Sequence, residues 1–214
     1  MQPADYDERT AVARDHMVRT QIEARGVTDP RVLEAMRRVP RHRFVPEGCL
    51  LQAHEDHPIP LGGGQTISQP YIVAYMAEAL CLEGHERVLE VGSGCGYMAS
   101  VLSLLVKDVY GLELLPALHA RAASLVDALG YDNIHLGCGD GRGGWPGKAP
   151  FDAILLSCAA DHVPPPLWEQ LAEGGRMILP LGTPYGYQML VLLTKREGVR
   201  DVRDLIAVSF VPLL

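Results

Sequence analysis

Short apolar runs alternate with amphipathic stretches along the central part of the chain. Each run is nearly continuous in aliphatic residues, which is typical of a strand covered on both faces of a sheet. The runs that predict strands are Arg87–Val91, Val109–Leu112, Asn133–Leu136, Phe151–Leu156 and Arg176–Leu179. Strands that alternate with helices predict βαβ units and a doubly wound, mostly parallel sheet.

Two stretches between these strands have helical periodicity. From Pro116 to Leu129 the apolar residues recur at spacings of three and four. The proline at its start and Gly130 just past its end are typical helix boundaries. The stretch from Tyr97 to Val106 also carries apolar residues on one face and follows the first strand. Both are predicted to be helices.

The C-terminal part has strand-like runs without a helical stretch between them. Gln188–Thr194 and Leu205–Val211 are apolar, and the linker Lys195–Asp204 is charged. The simplest prediction is an antiparallel pair of strands that closes one edge of the sheet, with Pro212 near the end of the edge strand.

The first 60 residues differ from the rest of the chain. They are rich in arginine and proline, and residues such as Met17, Ile22 and Met36 indicate short amphipathic helices. We predict an N-terminal helical segment at 1–60, packed on a core at 61–214 within one globular unit. The expected fold class is α/β: a Rossmann-like, doubly wound, mostly parallel sheet with antiparallel C-terminal edge strands.

Composition narrows the classes of function. The formal net charge of −7 disfavours a phosphate-binding surface, so no nucleic-acid partner is expected. Five scattered cysteines without a CxxC pair indicate reduced thiols, and the chain has no apolar run long enough to cross a membrane. We therefore expect a cytoplasmic protein without a membrane partner. His54 and His57 lack further nearby ligands, so no metal site is predicted.

A glycine-rich turn follows the first predicted strand. Gly92, Gly94 and Gly96 let the backbone turn tightly and approach a ligand without interference from Cβ atoms. The spacing is not GxGxxG and no Walker lysine follows, which disfavours dinucleotide and nucleoside triphosphate sites. Alone, such a turn is equally compatible with plain packing.

Two acidic residues strengthen the prediction of a nucleoside site. Glu113 ends the second strand, about twenty residues after the glycine turn, where a carboxylate can accept hydrogen bonds from both ribose hydroxyls. Asp140 follows the third strand, at the edge of the sheet where open α/β folds bind ligands, and it is placed to accept from an adenine amine. Each acid alone is equally compatible with a solvated loop or a helix cap. Together with the glycine turn they predict an adenosine-type cofactor.

Several motifs resemble the protein-L-isoaspartate (D-aspartate) O-methyltransferase family. The most specific is PLGGGQTISQPYIVA at Pro60–Ala74, followed by LEVGSGCGY at Leu89–Tyr97. The resemblance covers about residues 17–213 in the expected order. Further matching segments are Gly139–Gly141, Trp145–Pro146, Ala149–Ile154, Gln170–Leu171, Gly174–Arg176, Pro180–Gly182, Gln188 and Phe210–Leu213.

This resemblance implies a class I methyltransferase that uses S-adenosyl-L-methionine, yields S-adenosyl-L-homocysteine and needs no metal. Its acceptors would be isoaspartyl-containing peptides and proteins, which it would repair. We expect the enzyme to be a monomer. Ser68 would be the catalytic residue, and Ser68 and Val211 would contact the substrate. The implied cofactor-binding residues are Thr66, Ile67, Ser68, Gln69, Val73, Glu90, Gly92, Ser93, Gly94, Gly96, Glu113, Leu114, Asp140 and Gly141.

Two departures from the family pattern leave other functions open. Cys95 stands where serine or threonine is more usual, and Ser157-Cys158-Ala159 replaces the usual Thr-Ala-Ala. The second change motivates an alternative acceptor, either a dedicated peptide or a small-molecule carboxylate. A non-catalytic module that binds S-adenosylmethionine is a further alternative.

Three local interpretations also have alternatives. Ser68 could orient an acceptor carboxylate or cap the helix expected to begin at Pro70. The glycines at 62–64 could form a hinge that closes over the site or a plain surface loop. The basic cluster of Arg37, Arg38, Arg41 and Arg43 is expected to be a solvated face, or alternatively to attract acidic peptide segments.

Overall fold

The computed structural model describes residues 3–183 and 186–214, with side chains described from residue 10 onward. A hairpin of two short strands precedes a seven-stranded sheet. The strands of the hairpin are β1 (Ile59–Gly62) and β2 (Gln65–Ile67). The strands of the sheet are β3 (Arg87–Val91), β4 (Asp108–Glu113), β5 (Ile134–Cys138), β6 (Phe151–Leu156), β7 (Leu171–Gly182), β8 (Gln188–Arg196) and β9 (Val199–Val208).

Helices cover the faces of the sheet and form most of the N-terminal segment. They are α1 (Pro3–Met17), α2 (Pro30–Arg38), α3 (Pro70–Ala79), α4 (Tyr97–Ser103), α5 (Pro116–Ala128) and α6 (Pro165–Gln170). Proline occupies the first turn of α2, α3, α5 and α6, where its missing N–H costs no hydrogen bond. Further single helical turns connect α1, α2 and β1.

The order of strands in the large sheet is β5-β4-β3-β6-β7-β8-β9. The strands from β5 to β7 are parallel, and β8 and β9 continue the sheet in antiparallel pairing. After β5 the chain returns to the other side of β3 to form β6. The loops that leave β3 and β6 therefore diverge at the point where strand order reverses, which is where open α/β sheets bind ligands.

The central strands are buried because apolar residues face both sides of the sheet. On β3, Val88 belongs to the core on one face and Leu89 to the core on the other. The N-terminal helical residues Met17, Ile22 and Met36 are buried in the same core as Val88. One continuous hydrophobic core therefore joins the N-terminal segment to one face of the sheet.

The predicted fold class is confirmed, and two strand predictions match the structure residue for residue, Arg87–Val91 and Phe151–Leu156. The prediction for the last strand was wrong. The segment 195–204 is not a linker, because β9 begins at Val199 and ends at Val208 after a turn at Glu197 and Gly198. Its charged residues lie on an exposed edge strand, where charge protects against edge-to-edge association.

The glycines at 62–64 lie at the end of the β1–β2 hairpin. Gly63 and Gly64 have φ angles of +60° and +76°, as the two central residues of a type I′ hairpin turn require. A structured turn thus occupies the position where a hinge or a surface loop was expected. The predicted division of the chain at residue 60 falls within β1.

No helix in the described part of the chain has the length and apolar character that crossing a membrane requires.

The burial of β3 gives a prediction about stability. Val88→Ala should lower the free energy of unfolding by about 2 kcal/mol, since it removes two methyl groups from a fully buried site and leaves a cavity. The same substitution at Val199, which is 67% exposed on β9, should change it by less than about 0.5 kcal/mol. Urea unfolding of both variants measures the difference. Equal losses would contradict the central position of β3 in the core.

Candidate active site

The glycine loop after β3 turns tightly over the ends of the neighbouring strands. The backbone N–H groups of Gly92 and Ser93 donate to the carbonyl oxygen of Leu112 on β4, at 2.8 and 3.0 Å. Gly92 has a φ of +80°, and a Cβ atom there would lie 3.2 Å from Sγ of Cys158. Both observations require glycine at this position. The loop therefore crosses from β4 toward β6 with backbone alone.

Gly96 lies where the loop enters α4 and serves a different purpose. Its φ is +84°, and a Cβ atom would lie 3.2 Å from a methyl group of Val126 on α5. This glycine lets α4 and α5 pack closely. Gly96 does not line the cleft described below. Its role is to allow the close packing of the two helices.

The carboxylate of Glu113 is held by the loops on either side of it. It accepts from the backbone N–H of Gly94 at 2.8 Å and from that of Leu115 at 2.9 Å. Each oxygen thus uses one acceptor position, and a carboxylate offers about four. The acid at the end of β4 is therefore fixed in place and retains acceptor capacity toward the cleft that it lines.

Glu90 lies one strand away in a much drier environment. Its side chain is buried, Oε1 accepts from Oγ of Ser157 at 2.8 Å, and Oε2 has no protein partner among the described residues. Burial raises the pKa of this carboxyl to about 8; the Ser157 hydrogen bond opposes the shift and the charge of Glu113 adds to it. Glu90 is therefore largely protonated at neutral pH.

These elements surround a cleft that opens to solvent. Of the predicted cofactor-binding and substrate-binding residues, those that line it are Thr66, Ile67, Ser68, Val73, Glu90, Gly92, Ser93, Gly94, Glu113, Leu114, Gly141 and Val211. The fold thus brings together segments that are distant in sequence.

A second, wider groove adjoins the cleft. Thr66, Ser68, Ser157 and Val211 line both spaces, so they mark the passage between them. Gln69 lines only the wider groove, and its side chain donates to the carbonyl oxygen of Asp56 at 3.1 Å. Gln69 was expected to line the cofactor cleft. The structure instead places it beside the groove, outside the cleft.

Asp140 also lies outside the lining of the cleft. Its carboxylate caps the turn that begins at Gly141 and accepts from the backbone and the guanidinium of Arg142. Those Arg142 hydrogen bonds lower the pKa of Asp140. Its neighbour Gly141 does line the cleft, with no room for a side chain because a Cβ atom would lie 2.4 Å from Val91.

Ser68 stands in the short connection between β2 and α3. Gln69 is the N-cap of α3, and no side chain makes a capping hydrogen bond there. The alternative in which Ser68 caps this helix is therefore wrong. The carbonyl oxygen of Ser68 accepts from Nη2 of Arg41 at 2.8 Å, and the residue lines both the cleft and the groove.

The C-terminal segment closes one side of the cleft. The carbonyl of Val211 accepts from the N–H of Ala159, and the N–H of Leu213 donates to the carbonyl of Ala159, both at 2.8 Å. The buried amide of Gln188 binds both backbone groups of Phe210, at 2.7 and 3.1 Å. These bonds fix the segment after β9 beside the loop that follows β6.

Sequence reasoning missed several residues that line the cleft. Ser157 and Cys158 were noted only as departures from a pattern, although they follow the carboxyl end of β6, and the rule that identified Glu113 applies to them equally. Burial raises the pKa of Cys158 to about 12, so its thiol stays neutral. The other lining residues without an assigned role are Gln65, Val91, Cys95, Tyr97, Met98, Leu112, Leu115, Pro212, Leu213 and Leu214.

The parallel sheet with its antiparallel edge, together with the glycine loop and the acid at the end of β4, defines a class I methyltransferase. The family model for protein-L-isoaspartate(D-aspartate) O-methyltransferase matches residues 12–214. The chain belongs to this family, which confirms the resemblance found in the sequence.

Individual relatives agree with the family match. Protein-L-isoaspartate O-methyltransferase 2 of Shewanella sediminis (strain HAW-EB3) is 52% identical over 211 residues, which cover 99% of this chain and 86% of the relative. A solved protein-L-isoaspartate O-methyltransferase superposes with a TM-score of 0.85 at 29% identity. That match covers 93% of this chain, which spans 65% of the solved one.

A second solved structure comes from Plasmodium falciparum, is assigned to the same activity and contains S-adenosyl-L-homocysteine. It superposes with a TM-score of 0.82 at 26% identity and covers 94% of this chain and 98% of its own.

The buried carboxyl of Glu90 gives a prediction about pH. Its pKa is about 8 in the folded protein and close to the ordinary 4.5 in the unfolded chain. Between these values the folded state holds a proton that the unfolded state has released, so the free energy of unfolding falls as pH rises. Glu90→Gln, which does not titrate, should reduce this fall between about pH 5 and about pH 8.5.

Urea unfolding at the two pH values measures the effect. Glu169→Gln, on the exposed side of α6, is the matched control and should leave the fall unchanged. The same pH dependence in Glu90→Gln and the unsubstituted protein would show that Glu90 does not keep its proton in the fold.

Proposed function

We propose that this protein is an S-adenosylmethionine-dependent protein-L-isoaspartate O-methyltransferase. It transfers a methyl group to the free α-carboxylate of isoaspartyl residues, and also to the free side-chain carboxylate of D-aspartyl residues, in damaged proteins, and so begins their repair. The observation that carries the proposal is the position of Ser68 at the passage between the cleft at the strand ends and a wider groove. Family membership over residues 12–214 supports it.

The cleft suits an adenosine-type cofactor with a charged amino-acid portion. Glu113 retains acceptor positions for a ribose diol, and the unpartnered Oε2 of Glu90 is an acceptor or donor for a polar group. Gly92 and Gly141 line the cleft with backbone alone. When bound, S-adenosylmethionine supplies an electrophilic methyl group on a sulfonium.

Among the residues proposed for cofactor binding, Asp140 needs a change of side-chain conformation. Its carboxylate is engaged by Arg142, at the surface, where an ion pair contributes little and breaks readily. Release from Arg142 would free it to accept from an adenine amine, while Gly141 already borders the cleft.

The wider groove suits a peptide acceptor. It is open to solvent and is lined by Ile72 of α3, the backbone segment around Phe210 and Val211, and Ser68. An acceptor carboxylate is ionised near pH 7, because its reference pKa is about 4. It therefore needs no general base, only desolvation and alignment with the methyl group.

Ser68 fits the task of aligning that carboxylate. Its hydroxyl makes no hydrogen bond with another described residue and is therefore available to donate to an acceptor oxygen. A donation to one carboxylate oxygen leaves the other free to attack.

We infer a cytoplasmic, monomeric enzyme that acts on protein and not on nucleic acid. The five cysteines are all free thiols, as a reducing compartment favours. The net charge of −7 disfavours a polyanionic partner.

The proposed activity predicts selective methylation. With radiolabelled S-adenosylmethionine, a synthetic isoaspartyl peptide should gain base-labile label, and its aspartyl twin should gain none. Label on neither peptide, with cofactor binding demonstrated by calorimetry, would contradict the proposal. It would then favour another carboxylate acceptor or a module that binds the cofactor without chemistry.

The role of Ser68 predicts a separation of turnover from binding. Ser68→Ala should lower kcat on the isoaspartyl peptide by about 100-fold, since misalignment of the acceptor has costs of this order. Affinity for S-adenosyl-L-homocysteine, measured by calorimetry, should be largely retained. Ser124→Ala, at an exposed position of α5, is the control and should match the unsubstituted protein. Full turnover in Ser68→Ala would exclude the catalytic role.

A further inference from the structure

Arg41 is fully buried, contrary to the expectation that its basic cluster would be a solvated face, while Arg38 and Arg43 are exposed. Its guanidinium lies between the N-terminal segment and α4, with its central carbon 4.7 Å from the ring centre of Tyr97. No carboxylate among the described residues forms an ion pair with it. The cation is held by an aromatic face and by main-chain carbonyls.

A buried cation without an anion is costly for a fold. Burial lowers the pKa of Arg41, because removal from water disfavours its charged form. An apolar side chain of similar volume fills such a space at lower cost. The hydrogen bonds that the guanidinium makes must therefore account for arginine at this position.

Those hydrogen bonds join two separate segments of the chain. Nε donates to the carbonyl oxygen of Ala53 at 2.8 Å, and Nη2 donates to the carbonyl oxygen of Ser68 at 2.8 Å. The neighbouring Gln69 donates to the carbonyl oxygen of Asp56 at 3.1 Å. The connection at 68–69 is thus tied through two side chains to the single loop at 53–56.

This support matters because Ser68 lies outside regular structure. The hairpin pairing ends at Ile67 and α3 begins at Pro70, so the strand ladder does not hold Ser68. The bond from Arg41 to the carbonyl oxygen of Ser68 restrains the peptide plane that follows the Cα of Ser68. It therefore limits how far this Cα, and the side chain attached to it, can shift.

We propose that Arg41 is a positioning residue that fixes the backbone of Ser68 and thereby aims its hydroxyl at the passage between the cleft and the groove. This inference rests on the proposed function of Ser68. Arg41 does not line the cleft or the groove, so it acts through Ser68 and not on the cofactor. The N-terminal segment then contributes to turnover as well as to the core.

The test uses Arg41→Lys with Arg43→Lys as the matched control. Lysine keeps the charge but loses the planar fork, so one ammonium cannot reproduce the paired bonds to Ala53 and Ser68. Arg43 belongs to the same helical turn and is exposed. Arg41→Met, close in length and without a charge to desolvate, is the second variant if Arg41→Lys does not fold.

The first measurement is hydrogen exchange in the full-length protein and needs no turnover. Exchange at the amides of residues 65–69 should rise about tenfold or more in the Arg41 variant, the loss expected for a charged hydrogen bond. Exchange in β3 should be unchanged, and the Arg43 variant should match the unsubstituted protein. Unchanged exchange at residues 65–69, or an equal rise in β3, would overturn the inference.

The second measurement is a double-mutant cycle in kcat on the isoaspartyl peptide. Arg41→Lys should lower kcat about 100-fold with affinity for S-adenosyl-L-homocysteine retained. In the Ser68→Ala background the same substitution should have much less effect, because the hydroxyl that it positions is absent. Equal effects in both backgrounds would reduce Arg41 to a structural brace and overturn the inference. If the unsubstituted protein methylates no peptide, the proposed function fails and the exchange measurement alone decides the role of Arg41.

Discussion

The close passage of the β3–α4 loop over its neighbours is the constraint on which the site depends. Two successive N–H groups of the loop share the carbonyl of Leu112, and Gly92 leaves no space for a Cβ atom beside Cys158. The backbone of the loop that follows β3 therefore contacts the end of β4 at Leu112 and passes close to Cys158, which follows β6. The loop lines the cleft at Gly92, Ser93 and Gly94. Glu113 then binds Gly94 and holds the loop in place.

Two acids in this cleft are held by different means. Glu113 accepts hydrogen bonds from main-chain N–H groups on both sides. Glu90 is fully desolvated and has a single hydroxyl partner, so its carboxyl keeps a proton to about pH 8. The pair offers a fixed acceptor and a neutral polar group within one small volume.

The opposite wall of the cleft is built on other principles. The strand ends are fixed by the ladder of the sheet, whereas the connection between β2 and α3 depends on side chains that bind main-chain carbonyls. Arg41 supplies such a bond from a fully buried position and Gln69 another from the groove. A wall of this kind is locally less stable than a sheet. It also connects the N-terminal segment to Ser68, which lines both the cleft and the groove.

The sequence by itself determined the parallel sheet, the strands Arg87–Val91 and Phe151–Leu156, and the position of Glu113 at a strand end. Local periodicity and the rule that ligands bind at carboxyl ends of strands report these features directly. Only the tertiary structure decided that the charged segment 195–204 pairs as an edge strand and that Ser157 contacts Glu90, 67 residues away. It alone also decided that Arg41 is buried beneath Ser68, 27 residues away. Burial and long-range hydrogen bonds depend on what packs against a residue, and no local pattern of polar and apolar positions contains that information.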